Sequence, residues 1–302
     1  MSELKPQGLK KSQILLYGFF GMFLNTFYLM FLAYNRLFYL TNVLQLSTQI
    51  SAVVNTLSVW GNVVTMLLAG AIIEKFTFKS GKFRTWTIIG GIVVGIAFTL
   101  LFANFGLSQG VAGALFVVMF VIQSIGYNTL WVAERSLVGP MSTTAADANS
   151  LAMVAQQGST LGGLIYGVVN PFIMKAVGDN YTWTALVYGL FIVLGTLGMF
   201  SLTRNFDSGS EPVVAAQKKE QVKGGFLKAM TGPTLPFFFA MILNNMHLGF
   251  FMTLLAYFTQ YVLQDPVILS TAVTAGSVAG LIGAWLSKII CDKMGKKRAF
   301  VY

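Results

Sequence analysis

The chain has 302 residues, of which 55% are hydrophobic and only 10% are charged, and its mean hydropathy is +0.70. Soluble domains carry about 25% charged residues, so the composition excludes an ordinary soluble protein and predicts an all-α, polytopic membrane protein. The net charge of +10 comes from cations placed between long apolar runs rather than in one solvated patch, which argues against nucleic acid as a partner. A single cysteine, Cys291, excludes an internal disulfide framework.

Eight segments are long and apolar enough to span a bilayer, which takes about 20 residues of helix. In chain order they are 13–35, 49–73, 85–105, 110–133, 148–174, 182–202, 234–263 and 268–290. The fifth and seventh spans are long, so we expect them to tilt, or the fifth to break at Pro171. The predicted fold is a bundle of transmembrane helices with a lipid bilayer around it.

The distribution of lysine and arginine predicts the orientation of these spans. With the N-terminus in the cytoplasm and alternating sides, every cation except Arg36 and Lys175 falls on the cytoplasmic side. The polar segment 203–231 has the composition of a solvated linker. We therefore expect a six-helix half in residues 1–202, a cytoplasmic linker, and the first two helices of a second half in residues 232–302. The protein is predicted to lie in the plasma or inner membrane.

A cluster of basic residues ends the second span of each half. Its members are Gly81, Lys82 and Arg84 in the first half and Asp292, Gly295, Lys296 and Arg298 in the second. Such a repeat is typical of transporters with two parallel halves. We expect the cations to hold a tight cytoplasmic turn and to pair with helix C-termini and with acids such as Glu74 and Asp292.

These motifs resemble those of a known family. The second cluster resembles the acid–basic–glycine–basic loop of the major facilitator superfamily, and GKFRTW at 81–86 resembles the GKF(K/R)PW signature of the glycoside–pentoside–hexuronide:cation symporters, the melibiose permease-like family. Thr85 stands where that family has proline. The similarity continues through FYLTNVLQLS (38–47), SLVGP (136–140) and AYFTQYVLQD (256–265). The resemblance implies twelve helices, so the eight predicted here indicate either a fragment or a truncated gene.

Polar side chains recur on one face of several spans, at spacings of three and four residues. Span 2 carries Ser51, Asn55, Ser58, Asn62 and Thr65. The same face of span 5 carries Asn149, Met153, Gln156, Thr160, Gly163, Gly167 and Asn170. Span 4 has Gln123, Tyr127 and Trp131 on one side, and span 7 has the only histidine, His247. Such faces serve either helix packing or a cavity for a neutral polyol, in which aromatic rings stack on the sugar and amides bond its hydroxyls.

The resemblance assigns further roles by position. The family's sugar-binding acid falls at Thr26, beside Asn25, and its arginine falls at Gln156. Its cation-binding acids of the second span fall near Gly61 or Asn62 and near Val64 or Thr65, and its acid of the fourth span falls at Trp131. None of these residues is charged, and all ten acidic residues lie at predicted helix ends or in loops. We therefore expect a proton rather than sodium as any coupling cation, with His247 as the titratable group. The predicted substrate-binding residues are Asn25, Thr26, Asn62, Thr65, Tyr127, Trp131, Gln156 and His247.

The sequence thus predicts a secondary transporter or facilitator for a sugar or glycoside that works by alternating access. One alternative is an exporter of amphipathic compounds, which the 26 phenylalanines and 14 methionines favour. Another is a membrane protein that does not transport, either a sensor or a remnant. An enzyme is disfavoured because the sequence shows no metal-ligand cluster, nucleophile–base pair or phosphate loop, and no cofactor is predicted.

Overall fold

A computed structural model of the protein describes residues 9–76, 78–207, 239, 243, 251, 254–255, 257–265 and 267–294. Most of these residues belong to long helices, which are α1 (Lys11–Val43), α2 (Thr48–Lys75), α3 (Lys82–Leu101), α4 (Gln109–Met141), α5 (Ala145–Ala176), α6 (Tyr181–Leu202) and α7 (Val267–Met294). α1 includes two π-helical turns, Phe19–Phe23 and Tyr39–Val43, and a third, Phe258–Val262, precedes α7. No strand occurs in the described ranges, and the predicted all-α fold is confirmed.

The predicted spans coincide with these helices to within a few residues at most ends. The exceptions are α1, which continues to Val43 rather than ending at 35, and α4, which continues past 133 to Met141. Five helices, α1 to α4 and α6, are long and apolar enough to cross a membrane. The eighth predicted span is α7, whereas most of the seventh, 234–263, and most of the linker 203–231 lie outside the described residues. The protein is a multi-pass membrane protein.

Glycines set the spacing between the helices, because without side chains they let two backbones approach closely. α3 lies between α4 and α6: a Cβ at Gly90 would be 2.7 Å from the carbonyl oxygen of Gly126, and one at Gly95 would be 3.1 Å from that of Gly189. In α5 the pair Gly158 and Gly162 faces the backbone of α1, and the pair Gly163 and Gly167 faces α7. α5 therefore packs against α1 on one side and against α7 on the next.

α5 is continuous through Pro171, so the predicted break at that residue is wrong. Proline removes one N–H donor and crowds the preceding turn. Pro171 lies near the C-terminal end of α5, where little helix follows it, and membrane helices tolerate proline because neighbouring groups satisfy the freed backbone oxygen.

An acid from the end of the predicted first half caps the basic turn before α3. The carboxylate of Asp207, just beyond α6, accepts hydrogen bonds from the backbone N–H groups of Lys82 at 3.1 Å, Phe83 at 2.6 Å and Arg84 at 2.8 Å. Gly81, at the N-cap, has no side chain to accept these bonds and has φ of 120°. Asp207 supplies the cap that the turn lacks, and its negative charge lies at the positive end of the helix dipole.

The Arg84 side chain is buried in the same contact. Its guanidinium lies 3.8 Å from the centre of the Phe200 ring in α6 and donates to the carbonyl oxygen of Arg204 at 3.5 Å. Glu74, expected to pair with these cations, is exposed at the end of α2 instead. In the second basic cluster, Asp292 lies within α7, and Gly295, Lys296 and Arg298 lie outside the described residues.

Candidate functional site

One acid lies inside the helix bundle, between α1 and α4. Glu134 is 3% exposed and Asn25 is 2% exposed. Nδ2 of Asn25 lies 3.3 Å from Oε1 and 3.4 Å from Oε2 of Glu134, and it also donates to the carbonyl oxygen of Gly21 at 2.7 Å. The hydroxyl of Tyr17 donates to the backbone carbonyl oxygen of Glu134 at 3.0 Å. We call Glu134 and Asn25 the acid–amide pair.

No lysine or arginine side chain is in ion-pair contact with Glu134 among the residues that the structure describes, and the cation that acts on it from a greater distance is the neighbouring Arg135. The neighbouring Arg135 is exposed, and its guanidinium lies 4.4 Å from the centre of the Trp131 ring. An ionised carboxylate that loses its water without gaining a counter-charge is costly to bury. An acid in this position inside a membrane protein points to a functional role.

The sequence placed every acid at a helix end or in a loop and left His247 as the titratable group of the membrane interior. Glu134 does lie near the end of a regular helix, Gln109–Ser136, but it is buried, which the sequence did not predict. The fourth span was expected to end at 133, which placed Glu134 outside it. α4 instead runs helically to Ser136 and resumes over Val138–Met141, so Glu134 is enclosed by α1 and α4. His247 lies outside the described residues.

Next to this acid, α4 presents an aromatic surface. The rings of Tyr127 and Trp131 are 6.0 Å apart, and Arg135 covers the next turn. We call these three residues the α4 strip. Tyr28 of α1 packs 5.4 Å from Tyr127 and donates a hydrogen bond to Gln123. The structure thus brings Tyr127 and Trp131, both predicted to bind substrate, to the same surface one turn from Glu134.

Two other predicted residues meet between α2 and α4. Nδ2 of Asn128 donates to Oδ1 of Asn62 at 3.0 Å and to Oγ1 of Thr65 at 2.9 Å, and Thr65 donates to the carbonyl oxygen of Asn62 at 2.9 Å. We call these three residues the amide cluster. The sequence did not single out Asn128, although an amide inside an apolar span is a signal that could have found it. The cluster joins two helices with neutral hydrogen bonds.

The remaining predicted residues lie apart. Thr26 is fully buried against α5, where its hydroxyl donates to the carbonyl oxygen of Met22 at 2.7 Å and lies 3.3 Å from Oγ of Ser159. Gln156 is exposed on α5 and is not brought to the α4 strip or to the amide cluster by any hydrogen bond between described residues. The structure therefore distributes the predicted residues over several helix contacts.

The two predicted halves touch at the C-terminal end of α1. Oγ1 of Thr41 lies 3.0 Å from the hydroxyl of Tyr257, and the hydroxyl of Tyr261 donates to Oδ1 of Asn42. We call these four residues the outer contact, after the side to which the charge distribution assigns them. The Tyr39–Val43 turn on one side matches the Phe258–Val262 turn on the other, and each is followed by a helix of 28 residues.

α5 and α7 also pack against each other. Gly163 and Gly167, in the second part of α5, lie against Ser277 and Thr274 of α7. In the first part of α5, Met153 is exposed beside a groove of about 290 Å³ between α1 and α5. The described contacts between the predicted halves therefore lie at the outer contact and along the second part of α5.

Known proteins resemble the chain over most of its length. A raffinose carrier protein of Pediococcus pentosaceus is 26% identical over 252 residues, which are 76% of this chain and 38% of that protein. A lactose permease of Lactobacillus delbrueckii subsp. bulgaricus is 24% identical over 254 residues, 80% of this chain and 40% of that protein. An Escherichia coli protein named "Putative 2,3-dihydroxypropane-1-sulfonate exporter" is 27% identical over 231 residues, 73% of this chain and 49% of that protein.

The chain spans less than half the length of each of these three relatives. The family assignment covers more of it, since residues 12–302 match the family described as MFS/sugar transport protein. The described part of the chain is a bundle of long apolar helices. The match over residues 12–302 shows that the chain belongs to the MFS/sugar transport protein family.

Proposed function

We propose that the whole protein is a secondary transporter of a sugar or glycoside that works by alternating access, and that it is not an enzyme. The observation that carries the proposal is the α4 strip, in which Tyr127 and Trp131 form an aromatic surface beside the buried Glu134 inside the helix bundle. Rings of tryptophan and tyrosine combine an apolar face with a polar edge, and this combination suits the apolar faces and hydroxyls of a sugar. Family membership and the names of two relatives, a raffinose carrier and a lactose permease, support the same substrate class.

The proposed topology has a cytoplasmic N-terminus, a first half in residues 1–202, a linker at 203–231 and the second half from 232. The matching turns at the ends of α1 and before α7 support a repeat of halves. Residues 203–207 begin the proposed linker, and Asp207 among them accepts hydrogen bonds from the N–H groups of Phe83 and Arg84. This contact connects the end of the first half to the basic turn before α3. We place the protein in the plasma or inner membrane.

A second candidate is export of a small anion. Two relatives carry the name of a sulfonate exporter, and Arg135 offers an exposed guanidinium at the end of the α4 strip. Arginine is well suited to planar recognition of an anionic group. We prefer this candidate to an exporter of amphipathic compounds, because Arg135 is a specific residue that could bind the anion.

Counterflow into proteoliposomes tests the proposal. The complete gene product is preloaded with unlabelled raffinose, lactose or 2,3-dihydroxypropane-1-sulfonate, and uptake of the labelled compound is measured. We expect sugar counterflow, and we expect Trp131→Ala to weaken apparent sugar affinity about tenfold, which corresponds to about 1.4 kcal/mol. Trp183→Ala, on the exposed surface of α6, is the matched control.

The outcomes separate the candidates. Counterflow of the sulfonate without that of the sugars would overturn the sugar proposal in favour of the anion exporter. An absence of counterflow for all three compounds, in protein whose folding is intact, would favour a sensor or remnant.

A further inference from the structure

We propose that Glu134 is the residue that binds the coupling proton, with Asn25 as the residue that positions it. The transport consequence rests on the proposed function, whereas proton binding at this site does not. The sequence alone indicated His247 of span 7 as the residue that takes up a coupling proton. We instead place the proton-binding site at the contact between α1 and α4.

The acid–amide pair has fewer hydrogen-bond donors than its buried oxygen atoms can accept from. Both carboxylate oxygens of Glu134 face a single N–H₂ group, at 3.3 and 3.4 Å, and that group also serves the carbonyl oxygen of Gly21. Oδ1 of Asn25 is buried and accepts no hydrogen bond. Buried polar atoms are normally paired, so the site contains acceptors that lack a hydrogen.

One proton supplies what is missing. A hydronium ion transfers one proton to a carboxylate oxygen of Glu134 and leaves as water, and the carboxylate becomes a neutral carboxyl. The new O–H is a donor, and a carboxyl and a primary amide can form a cyclic pair of hydrogen bonds in which this O–H bonds the amide oxygen. Protonation thus removes a buried charge and also gives Oδ1 of Asn25 a partner.

The groups around the site do not compete for this proton. Those that act electrostatically on Glu134 are Tyr17 of α1 and Tyr127 and Arg135 of α4. Tyrosine and arginine side chains keep their charge state near neutral pH.

Charged residues of the other helices lie elsewhere. Arg36 of α1 is over the Phe120 ring, Arg84 of α3 is over the Phe200 ring, and Glu74 and Lys75 are exposed at the end of α2. α6 carries no charged residue over Tyr181–Leu202, and α5 carries its charges, Asp147 and Lys175, in its terminal turns. The titration therefore belongs to Glu134.

The acid–amide pair lies next to the proposed sugar-binding surface and on a helix that contacts the second half. Trp131 of the α4 strip precedes Glu134 by one turn, so a proton on Glu134 changes the charge next to the proposed sugar surface. Asn25 lies on α1, and the same helix carries Thr41 and Asn42 of the outer contact. A proton that changes the hydrogen bonds between α1 and α4 can therefore shift the balance between open and closed states.

Accumulation and exchange distinguish this role from a structural one. In proteoliposomes with the complete gene product and an acid exterior, we expect Glu134→Gln to lower sugar accumulation at least about tenfold, the size of an ordinary coupling free energy. Counterflow, which needs no net proton movement, should continue in the same variant and should lose its dependence on pH. Glu134→Asp should retain part of the accumulation, and Glu74→Gln, at an exposed acid, should resemble the wild type.

Full accumulation by Glu134→Gln would overturn the proposal. If Glu134→Gln fails to fold, Glu134→Asp answers the same question, because an unchanged pH profile in that variant would also overturn it.

A spectroscopic measurement separates this proposal from the proposed function. Infrared difference spectra of the purified protein, recorded across a pH titration, should show the carbonyl band of a protonated buried carboxyl that Glu134→Gln removes and Glu74→Gln leaves in place. Absence of that band at every pH would overturn proton binding even if sugars are transported. Its presence in a protein that transports no sugar would instead overturn the proposed function alone.

Discussion

α4 carries two polar contacts that differ in what they leave unsatisfied. At the amide cluster, Asn128 donates to both Asn62 and Thr65, all groups are neutral, and none of the three side chains has a buried polar atom without a partner. At the acid–amide pair, the carboxylate of Glu134 faces one amide and no cation in ion-pair contact within the described part of the chain. Both contacts join α4 to a neighbouring helix. The first resembles ordinary membrane-helix packing, and the second contains an ionisable group whose charge is costly to bury and is neutralised when a proton binds.

The difference gives a criterion for polar residues inside this bundle. A neutral residue whose donors and acceptors are paired across a helix contact needs no function beyond packing. An ionisable residue that is buried and incompletely paired makes the free energy of unfolding depend on pH. Variants at the two contacts should therefore differ in their effect on stability, in its pH dependence and in their effect on transport.

The largest effect is expected at the acid–amide pair. Asn25→Leu removes the side-chain donor that Glu134 has in the structure, and we expect it to lower the free energy of unfolding by about 3 kcal/mol at neutral pH, because a buried charge is left unpaired. The loss should shrink as pH falls, since a protonated Glu134 carries no charge to desolvate. Denaturation in mild detergent across a pH series measures both quantities.

A double variant provides the control for that experiment. Asn25→Leu with Glu134→Leu removes the charge together with its partner, so stability should recover and should lose its dependence on pH. Equal losses in the single and double variants would mean that Glu134 is not the source of the cost.

A smaller effect is expected at the amide cluster. Asn128→Leu leaves Thr65 bonded to the carbonyl oxygen of Asn62, and we expect a loss of about 1 kcal/mol that does not vary with pH. Proton-driven accumulation should remain. A pH-dependent loss, or abolished accumulation with normal folding, would contradict the distinction between the two contacts.

Asp207 supplies a third comparison, an acid whose oxygens are fully used. Its three backbone hydrogen bonds cap α3, and Asp207→Ala should cost about 1 kcal/mol, as is usual for the loss of a helix cap. Asp207→Asn keeps the acceptor oxygen and should cost less. Thermal unfolding of the two variants beside the wild type measures the difference, and an unchanged stability of Asp207→Ala would show that the cap is not needed.

No effect is expected from removing sodium. The resemblance assigns cation-binding acids to positions where this chain has neutral residues. Two of these residues, Asn62 and Thr65, accept hydrogen bonds from Asn128. Replacing sodium by choline at fixed pH should leave uptake by the complete gene product unchanged. A sodium gradient that drives accumulation would contradict proton coupling through Glu134.

The sequence predicted most of the helices because their apolar length is a local property. The spacing of Ser51, Ser58 and Thr65 likewise predicted one face of α2, and these residues are buried there. What the sequence missed depended on neighbours in space. Glu134 was placed beyond its helix because the span was predicted to end at 133, whereas α4 continues to Met141, and its burial is created by α1.

Two other residues show the same limit. Asp207 lies in a segment with the composition of a linker, yet it is buried because α3 offers unpaired N–H groups. Gln156 was grouped with the predicted site through the resemblance, whereas its side of α5 is exposed. Composition and periodicity describe one helix at a time, and these three cases are decided by contacts between elements.

The most direct test of proton coupling through Glu134 is to measure proton movement driven by sugar. Proteoliposomes with the complete gene product, no pH gradient and a weakly buffered exterior receive sugar on the outside, and the external pH is recorded together with sugar uptake. We predict that the exterior of wild-type and Asn128→Leu vesicles becomes alkaline as sugar enters, and that Glu134→Gln vesicles take up sugar without a change in pH. Proton movement that persists with sugar uptake in Glu134→Gln would contradict the assignment.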